Sequence, residues 1–234
     1  MLAVNHAGRE SIEFFEIRNS GNTTRAIWHG CTIFIGGLLN DVAAMPNGGF
    51  ITTVMLDQSL VHGRDASQIL FSDEKAGYLA TWDAGAGFQR LPGTKAALNN
   101  SLQIGTDGKT IYFTAYTGKK VIRYDLAHRK VSGSVGVKFY PDNITKSRDG
   151  VFLIAGIDDL SEFIRCTRDE GHFCDRNVAF RVVELNTGTM STRTVFREEP
   201  GTLQGASTAL KVGNALYIST YTGDRILKAV LGNH

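Results

Sequence analysis

The chain has 234 residues, with 25 basic and 23 acidic side chains and a formal net charge of +2. This length allows a sizeable hydrophobic core and is too long for a small domain held together by disulfides. The near-neutral charge, without a long run of one sign, gives no indication of nucleic-acid or membrane-surface binding, and no apolar stretch approaches the length of a membrane span.

The predicted elements are almost all short strands. Segments of alternating β-branched and aromatic residues, separated by Gly, Asn and Asp turns, begin at the first residues and continue to the C-terminus. Helical periodicity is scarce, and the segment RDASQILFSDEKAG is expected to form a loop with one turn of helix. We therefore predict an all-β fold in a single domain, 1–234. The strand-like segments include LAVNHAGRESIEFFEI, GFITTVML, GYLATW, TIYFTAY, KVIRYDL, VFLIAG, AFRVVEL and ALYISTY.

A pattern in the stretch GLLNDVAAMPNGGF (37–50) recurs along the chain. Asn40 and Asp41 stand at the start of an apolar run that leads to a Gly turn. Asn100 and Asn143 begin comparable strand–turn–strand units, and Ser207 stands near the same place in a last unit. Repeats of about 40 to 60 residues built from strands and tight turns are typical of the blades of a β-propeller.

In a propeller the first strand of each blade lines the central channel. We therefore expect Asn40, Asn100, Asp142 and Asn143 to meet near the axis, with Asp41 beside the first. Such an oxygen-only set is suited to a hard cation such as Ca²⁺, which can polarise a substrate carbonyl. The alternative is a purely structural role, because Asn and Asp often cap backbone groups at turns and strand starts.

Three cysteines are too few for a disulfide framework. Cys166 and Cys174 stand in the polar loop CTRDEGHFC and are either a small disulfide or two free thiols. His172 lies between them, but the loop lacks a fourth zinc ligand at any recognisable spacing. Cys31 is expected to be a small buried hydrophobic residue.

Taken together, these motifs resemble the paraoxonase/arylesterase family, within the gluconolactonase-like six-bladed propellers. The matching segments occur in the family's order over nearly the whole chain. They are LAVNHAGRESIEFFEI, LLNDVAAMP, NSLQIGTDGKTIYFTAYTGKKVIRYDL, DNIT followed by DGVFLIAG, and TLQGASTALKVGNALYIST.

The resemblance implies a calcium-dependent hydrolase of lactones and aryl esters. It implies that Asn40, Asn100, Asp142 and Asn143 hold a catalytic Ca²⁺ on the axis and that Asp41 contributes to a second, structural Ca²⁺. His6, in the VNH motif, matches one member of a histidine pair thought to activate water, and Asp142 is the other candidate for this role.

The sequence also departs from the family pattern. The family's first segment, which would supply a Glu ligand, the second histidine and a closing strand, has no counterpart before the VNH motif. We therefore expect an incomplete six-bladed propeller of about four blades plus part of another. The chain would then be a fragment of a longer product, a chain completed by a partner, or a rearranged propeller, and the fragment is favoured because Met1 falls directly on a strand.

These observations lead to one principal function and two alternatives. The principal expectation is a Ca²⁺-dependent hydrolase of a small lactone or aryl ester, which would be inactive if the chain is only a fragment of the enzyme. The alternatives are a non-catalytic propeller that binds a small molecule or protein, and a strictosidine-synthase-like propeller. Open propeller edges would allow self-association. No signal peptide is visible, although the family resemblance suggests a secreted or periplasmic protein.

Overall fold

The computed structural model describes residues 1–46, 48–61, 64, 66–147, 150–162, 164, 178–199, 202–221 and 224–232. Within these residues the strands form five antiparallel sheets that follow one another in chain order. The strands are β1 (Leu2–Asn5), β2 (Ser11–Ser20), β3 (Thr23–Ile33), β4 (Gly37–Ala44), β5 (Phe50–Asp57), β6 (Tyr78–Asp83), β7 (Gly87–Arg90), β8 (Asn99–Ile104), β9 (Thr110–Ala115), β10 (Lys120–Asp125), β11 (Lys130–Gly136), β12 (Tyr140–Lys146), β13 (Phe152–Ile157), β14 (Phe180–Asn186), β15 (Ser191–Glu198), β16 (Thr208–Val212), β17 (Ala215–Ser219) and β18 (Leu227–Val230).

Each sheet is one blade of a β-propeller. Blade 1 contains β1–β3, blade 2 contains β4–β7, blade 3 contains β8–β11, blade 4 contains β12–β15 and blade 5 contains β16–β18. The all-β propeller predicted from the sequence is therefore confirmed. The described residues form five blades, three with four strands and two with three, where the sequence predicted about four blades and part of another.

Apolar clusters between successive blades hold the array together. Ile12 of blade 1 packs in one cluster with Phe50 of blade 2, and Phe113 of blade 3 packs with Ile51 of blade 2. Burial of such side chains contributes roughly 1.5–3 kcal/mol each. The second strands of blades 2, 3 and 4 are mostly buried on both faces and are therefore rich in apolar residues. Every residue of β13 is buried.

Helical structure is limited to short segments in the part of the chain that the structure describes. A 3-10 helix spans Gln58–Leu60 and an α-helix, α1, spans Ala66–Leu70. The predicted turn of helix in this region is thus confirmed. Neither segment has the length and hydrophobicity needed to cross a membrane.

The three cysteines differ in what the structure says of them. Cys31 is a free thiol and is only partly buried, so the expected full burial is wrong. Its sulfur accepts a hydrogen bond from Arg9 Nη2 at 3.2 Å, which keeps it at the surface of blade 1. Cys166, His172 and Cys174 lie outside the described residues.

A β-bulge interrupts the first strand of each of the three four-stranded blades. In blade 2 the pairing passes from Leu39–Val54 to Val42–Thr52, so that Asn40 and Asp41 stand opposite a single residue. The same break occurs at residues 100–101 of blade 3 and at residues 142–143 of blade 4. A bulge redirects the side chains of the strand that carries it. The bulges therefore lie at the polar positions singled out in the sequence.

Candidate active site in the central cavity

A cavity of about 970 Å³ opens where the five blades converge. This volume lies in the range typical of ligand-binding pockets. Four of the bulge side chains, together with His6, line the cavity, while the rest of its wall is mostly apolar. The lining residues are His6, Glu10, Leu38, Leu39, Asn40, Met55, Leu70, Asn100, Tyr116, Asp142, Asn143, Ile157, Leu160, Ile164, Gln204, Gly205, Ala206, Ser207 and Tyr221.

Threonine side chains fix the bulges of neighbouring blades relative to one another. Thr53 Oγ1 accepts the Asp41 N–H at 2.8 Å and donates to the Asn100 carbonyl at 2.7 Å. One blade further, Thr114 Oγ1 accepts the Ser101 N–H at 2.9 Å and donates to the Asp142 carbonyl at 3.0 Å. Each threonine thus satisfies the backbone group freed by its own bulge and sets the position of the next one.

Blade 4 continues this arrangement with a different partner. The Asn143 N–H donates to the Ser207 carbonyl at 3.0 Å, and Asn143 Nδ2 donates to the Ser207 carbonyl and to Ser207 Oγ, both at 3.1 Å. These contacts tie blade 4 to blade 5. They also use the side-chain nitrogen of Asn143, Nδ2, and leave its side-chain oxygen, Oδ1, available to the cavity.

Asn100 carries the clearest sign of an unfilled role. Its side chain is 4% exposed, and its Oδ1 atom is buried without a hydrogen-bond partner among the described residues. Leaving a buried amide oxygen unpaired costs about 1–3 kcal/mol. Asn40 Nδ2 donates to Met55 Sδ at 3.5 Å. This contact uses the side-chain nitrogen of Asn40 and not its side-chain oxygen, Oδ1.

Asp142 is a partly buried carboxyl group in the same cavity. Desolvation raises its pKa to about 7, hydrogen bonds from Ser207 and Asn100 oppose this shift, and the nearby Asp41 charge adds to it. Without a compensating cation the group is thus costly to ionise at neutral pH. Burial also raises the pKa of Tyr116, whose ring lines the same wall.

Asp41 does not line the cavity. Its Oδ2 accepts hydrogen bonds from Ser101 Oγ at 2.5 Å and from the Leu102 N–H at 2.9 Å, and its Oδ1 accepts from the Val42 N–H at 2.7 Å. Ser101 Oγ in turn accepts the Ile144 N–H at 3.0 Å. Desolvation raises the Asp41 pKa, against these hydrogen bonds. Asp41 therefore links three blades behind the cavity wall.

His6 lies at the cavity beside a carboxylate that the sequence analysis missed. His6 Nδ1 is 2.7 Å from Glu10 Oε1, and Glu10 Oε2 accepts the Leu39 N–H at 2.9 Å. The signal was present in the pattern VNHAGRES, because a hairpin that pairs Asn5 with Ser11 also places residues 6 and 10 opposite each other. Ser207 and Gln204 also line the cavity and come from the turn before β16.

The donor set is compatible with a hard cation. It consists of amide oxygens and one carboxylate, and no cluster of three His, Cys, Asp or Glu side chains is found in the described part of the chain. Soft metals prefer sulfur and imidazole, whereas Ca²⁺ accepts neutral carbonyl oxygens. The partnerless Asn100 oxygen and the desolvated Asp142 carboxyl are the two groups that a cation would satisfy.

We expect the raised pKa of Asp142 to be visible in the stability of the calcium-free chain. Because the folded-state pKa of about 7 exceeds the ordinary 3.8, the contribution of Asp142 to the free energy of unfolding falls as pH rises from about 4 to 7. Asp142→Asn removes this loss. The variant should gain on the order of 3–4 kcal/mol relative to wild type over this window, measured by urea unfolding at several pH values.

The control for this experiment is Asp107→Asn. Asp107 is an exposed turn residue whose pKa is lowered, first by its hydrogen bond from Thr110. Its replacement should give no gain with rising pH. A flat difference between wild type and Asp142→Asn from pH 4 to 8 would contradict the assignment of a desolvated, hard-to-ionise acid.

Comparison with known proteins supports the fold. No protein-family model matches the chain, and no curated protein matches it. A protein of unknown function from Bacteroides caccae has a TM-score of 0.53 at 12% identity, over 98% of this chain and 76% of that chain. Virginiamycin B lyase from Staphylococcus aureus has a TM-score of 0.50 at 12% identity, over 99% of this chain and 69% of that one.

A luciferin-regenerating enzyme is also similar, with a TM-score of 0.49 and 16% identity over 91% of this chain. The chain spans 66% of that enzyme's length. At these identities the likeness shows the propeller fold alone.

Proposed function

We propose that the chain is a calcium-dependent hydrolase of lactones or aryl esters. The observation that carries the proposal is the convergence of Asn40, Asn100, Asp142 and Asn143 on one cavity, with an Asn100 oxygen left without a partner. The resemblance of the surrounding motifs to the paraoxonase/arylesterase family supports the same assignment. The structural neighbours add the fold and do not add the chemistry.

The residues of the chain divide the work of such a reaction. When bound, Ca²⁺ supplies a Lewis acid that polarises the substrate carbonyl. Asn40, Asn100 and Asn143 offer neutral oxygens to hold the ion, and Asp142 offers one negative charge. His6 and Asp142 are the groups that would orient or deprotonate the attacking water.

The apolar wall suits the organic part of the substrate. Side chains of three blades lie around the polar floor and would exclude water from an acyl or aryl group. Tyr116 adds a flat aromatic surface to this wall. The apolar wall residues are Leu38, Met55, Leu70, Ile157, Leu160 and Ile164.

A second cation at Asp41, as the resemblance implies, stays a prediction. Both Asp41 oxygens already accept hydrogen bonds from Ser101, Leu102 and Val42. A cation there would share these oxygens with the chain's own donors. No step of the proposed reaction depends on it.

Blade 1 differs from blades 2, 3 and 4 in the direction of its first strand. β1 runs toward the cavity and ends beside His6, as β5, β9 and β13 do with Met55, Tyr116 and Ile157. β1 therefore has the direction of the second strand of blades 2, 3 and 4, although it is the edge strand of the three-stranded sheet of blade 1. A count of six blades stays a prediction.

Calcium titration of the chelated chain tests the proposal. We expect calorimetry to show binding, with lower affinity than a site that also has a Glu ligand, because only one carboxylate faces the ion. We also expect calcium-dependent hydrolysis of phenyl acetate or a γ-lactone, lost on adding EDTA. Absence of heat at millimolar Ca²⁺ together with absence of hydrolysis would contradict the proposal.

The runner-up function is a non-catalytic propeller that binds a protein or small molecule. One observation favours it: the face of blade 5 opposite the one that packs on blade 4 exposes Leu210, Val212 and Val230, the last with 68% of its surface accessible. Apolar patches of this kind often mark interaction surfaces. The calcium titration separates this function from the first, because a pure binding module does not require the cation.

A further inference from the structure

The hairpin between β1 and β2 forms a histidine–carboxylate pair at the cavity. Asn5 pairs with Ser11, so the turn carries His6 and Glu10 on opposite arms. Asn5 Nδ2 donates to the carbonyls of Ala7 and Arg9 at 3.3 and 3.2 Å, which closes the turn. The pair is thus held by the local fold and does not depend on chance contact between flexible side chains.

Glu10 is fixed from two sides. Its Oε1 lies 2.7 Å from His6 Nδ1, and its Oε2 accepts the Leu39 N–H of blade 2 at 2.9 Å. The Glu10 side chain is 14% exposed, whereas His6 is 57% exposed. The hydrogen bond from the Leu39 N–H restricts rotation of the carboxylate and keeps its second oxygen directed at Nδ1.

We propose that Glu10 is a positioning residue that holds the His6 proton on Nδ1 and leaves Nε2 as the acceptor at the cavity. An ionised carboxylate only accepts hydrogen bonds, so Nδ1 must be the donor. In a neutral imidazole the other nitrogen then carries the lone pair. The role of this lone pair in catalysis rests on the proposed hydrolase function.

In that reaction Nε2 acts first as base and then as acid. The water oxygen forms a bond to the substrate carbonyl carbon while one of its protons passes to Nε2. The carbon–oxygen bond to the leaving group then breaks, and the leaving oxygen takes the proton back from Nε2. While the ring is protonated, the Glu10 charge stabilises it.

Glu10→Gln separates this role from a structural one. The Gln amide has one acceptor oxygen, whereas the Glu10 carboxylate serves two donors, the Leu39 N–H and the His6 ring. If the amide oxygen stays with Leu39, the NH₂ group faces His6 and requires Nδ1 to accept. The substitution preserves size and shape and should move the ring proton to Nε2.

Nitrogen-15 NMR of the histidine rings tests the proposal directly on the calcium-free full chain. The ring resonances of His6 are assigned as those that disappear in His6→Asn. We expect the His6 ring to carry its proton on Nδ1 in wild type and on Nε2 in Glu10→Gln. The matched control is Glu16→Gln, since Glu16 contacts His29 Nε2 at 2.9 Å on the same blade and should leave His6 unchanged. A wild-type His6 protonated on Nε2 would overturn the proposal without any variant.

Kinetics complete the test. With phenyl acetate and calcium, Glu10→Gln should lower kcat by about 100-fold with KM little changed, Glu16→Gln should be silent, and adding His6→Asn to Glu10→Gln should cost little more. A changed tautomer with unchanged kcat in an active chain would overturn the catalytic role. A chain without hydrolysis but with the expected tautomers would instead defeat the proposed function and leave the positioning of His6 standing.

Discussion

Asn100→Ala and Asp142→Ala should each lower calcium-dependent hydrolysis by roughly 100-fold or more. Asn100 supplies the buried oxygen that has no other partner among the described residues, and Asp142 supplies the single carboxylate of the set. Loss of either should also weaken calcium binding in calorimetry. The measurement is the initial rate of phenyl acetate hydrolysis as a function of calcium concentration.

The matched control is Asp107→Asn in blade 3, the blade that carries Asn100. Asp107 caps a turn far along the strand pair, through its contacts with Lys109 and Thr110. This variant should keep wild-type hydrolysis and calcium affinity. If both alanine variants retain rates within a few fold of wild type while they remain folded, the cavity is not the site of the reaction.

Gly156→Ala should destabilise the chain by roughly 2–4 kcal/mol. Gly156 lies in β13 opposite Pro141, directly beside the bulge that carries Asp142. A β-carbon at Gly156 would lie 2.9 Å from the Tyr140 carbonyl carbon, 2.8 Å from Phe139 Cδ2 and closer still to the Tyr140 carbonyl oxygen. Because two of these neighbours are backbone atoms, β12 itself would have to move.

Gly136→Ala is the control for this prediction. Gly136 ends β11 at the surface, and a β-carbon there would meet no atom within 4 Å. Its replacement should raise the free energy of unfolding, measured by urea denaturation, by less than about 1 kcal/mol, because alanine lowers the entropy of the unfolded chain. Equal effects of the two substitutions would show that β12 and β13 are not as closely apposed as described.

The repeating pattern of the sequence was sufficient to predict the blades. Strand-like segments recur along the chain with a Gly turn, and three of the units have Asn at the start, a pattern with few other solutions. The same repeat indicated that Asn40, Asn100 and Asn143 would face the axis. The bulges show instead that Asp142 is the residue equivalent to Asn40 and Asn100, whereas Asn143 is equivalent to Asp41 and Ser101. These parts of the prediction depended on local periodicity alone.

Features that depend on packing between blades were not predictable in this way. The bulges change which face a residue occupies: strict alternation would place the neighbours Asp142 and Asn143 on opposite faces, yet both line the cavity. The contact of Glu10 with Leu39 joins residues 29 apart and exists only when blades 1 and 2 are docked. The need for Gly156 likewise arises from a neighbouring strand.

The division of the cavity among blades has a consequence for its dynamics. Within the described residues, the oxygen donors belong to blades 2, 3 and 4, which each pack between two blades, whereas His6 and Glu10 belong to blade 1, whose apolar cluster is shared with blade 2. Repeat arrays fray from their ends inward. Backbone amides around His6 should therefore exchange their hydrogens much faster than those around the cation ligands. Mild denaturant should abolish turnover while calcium affinity persists.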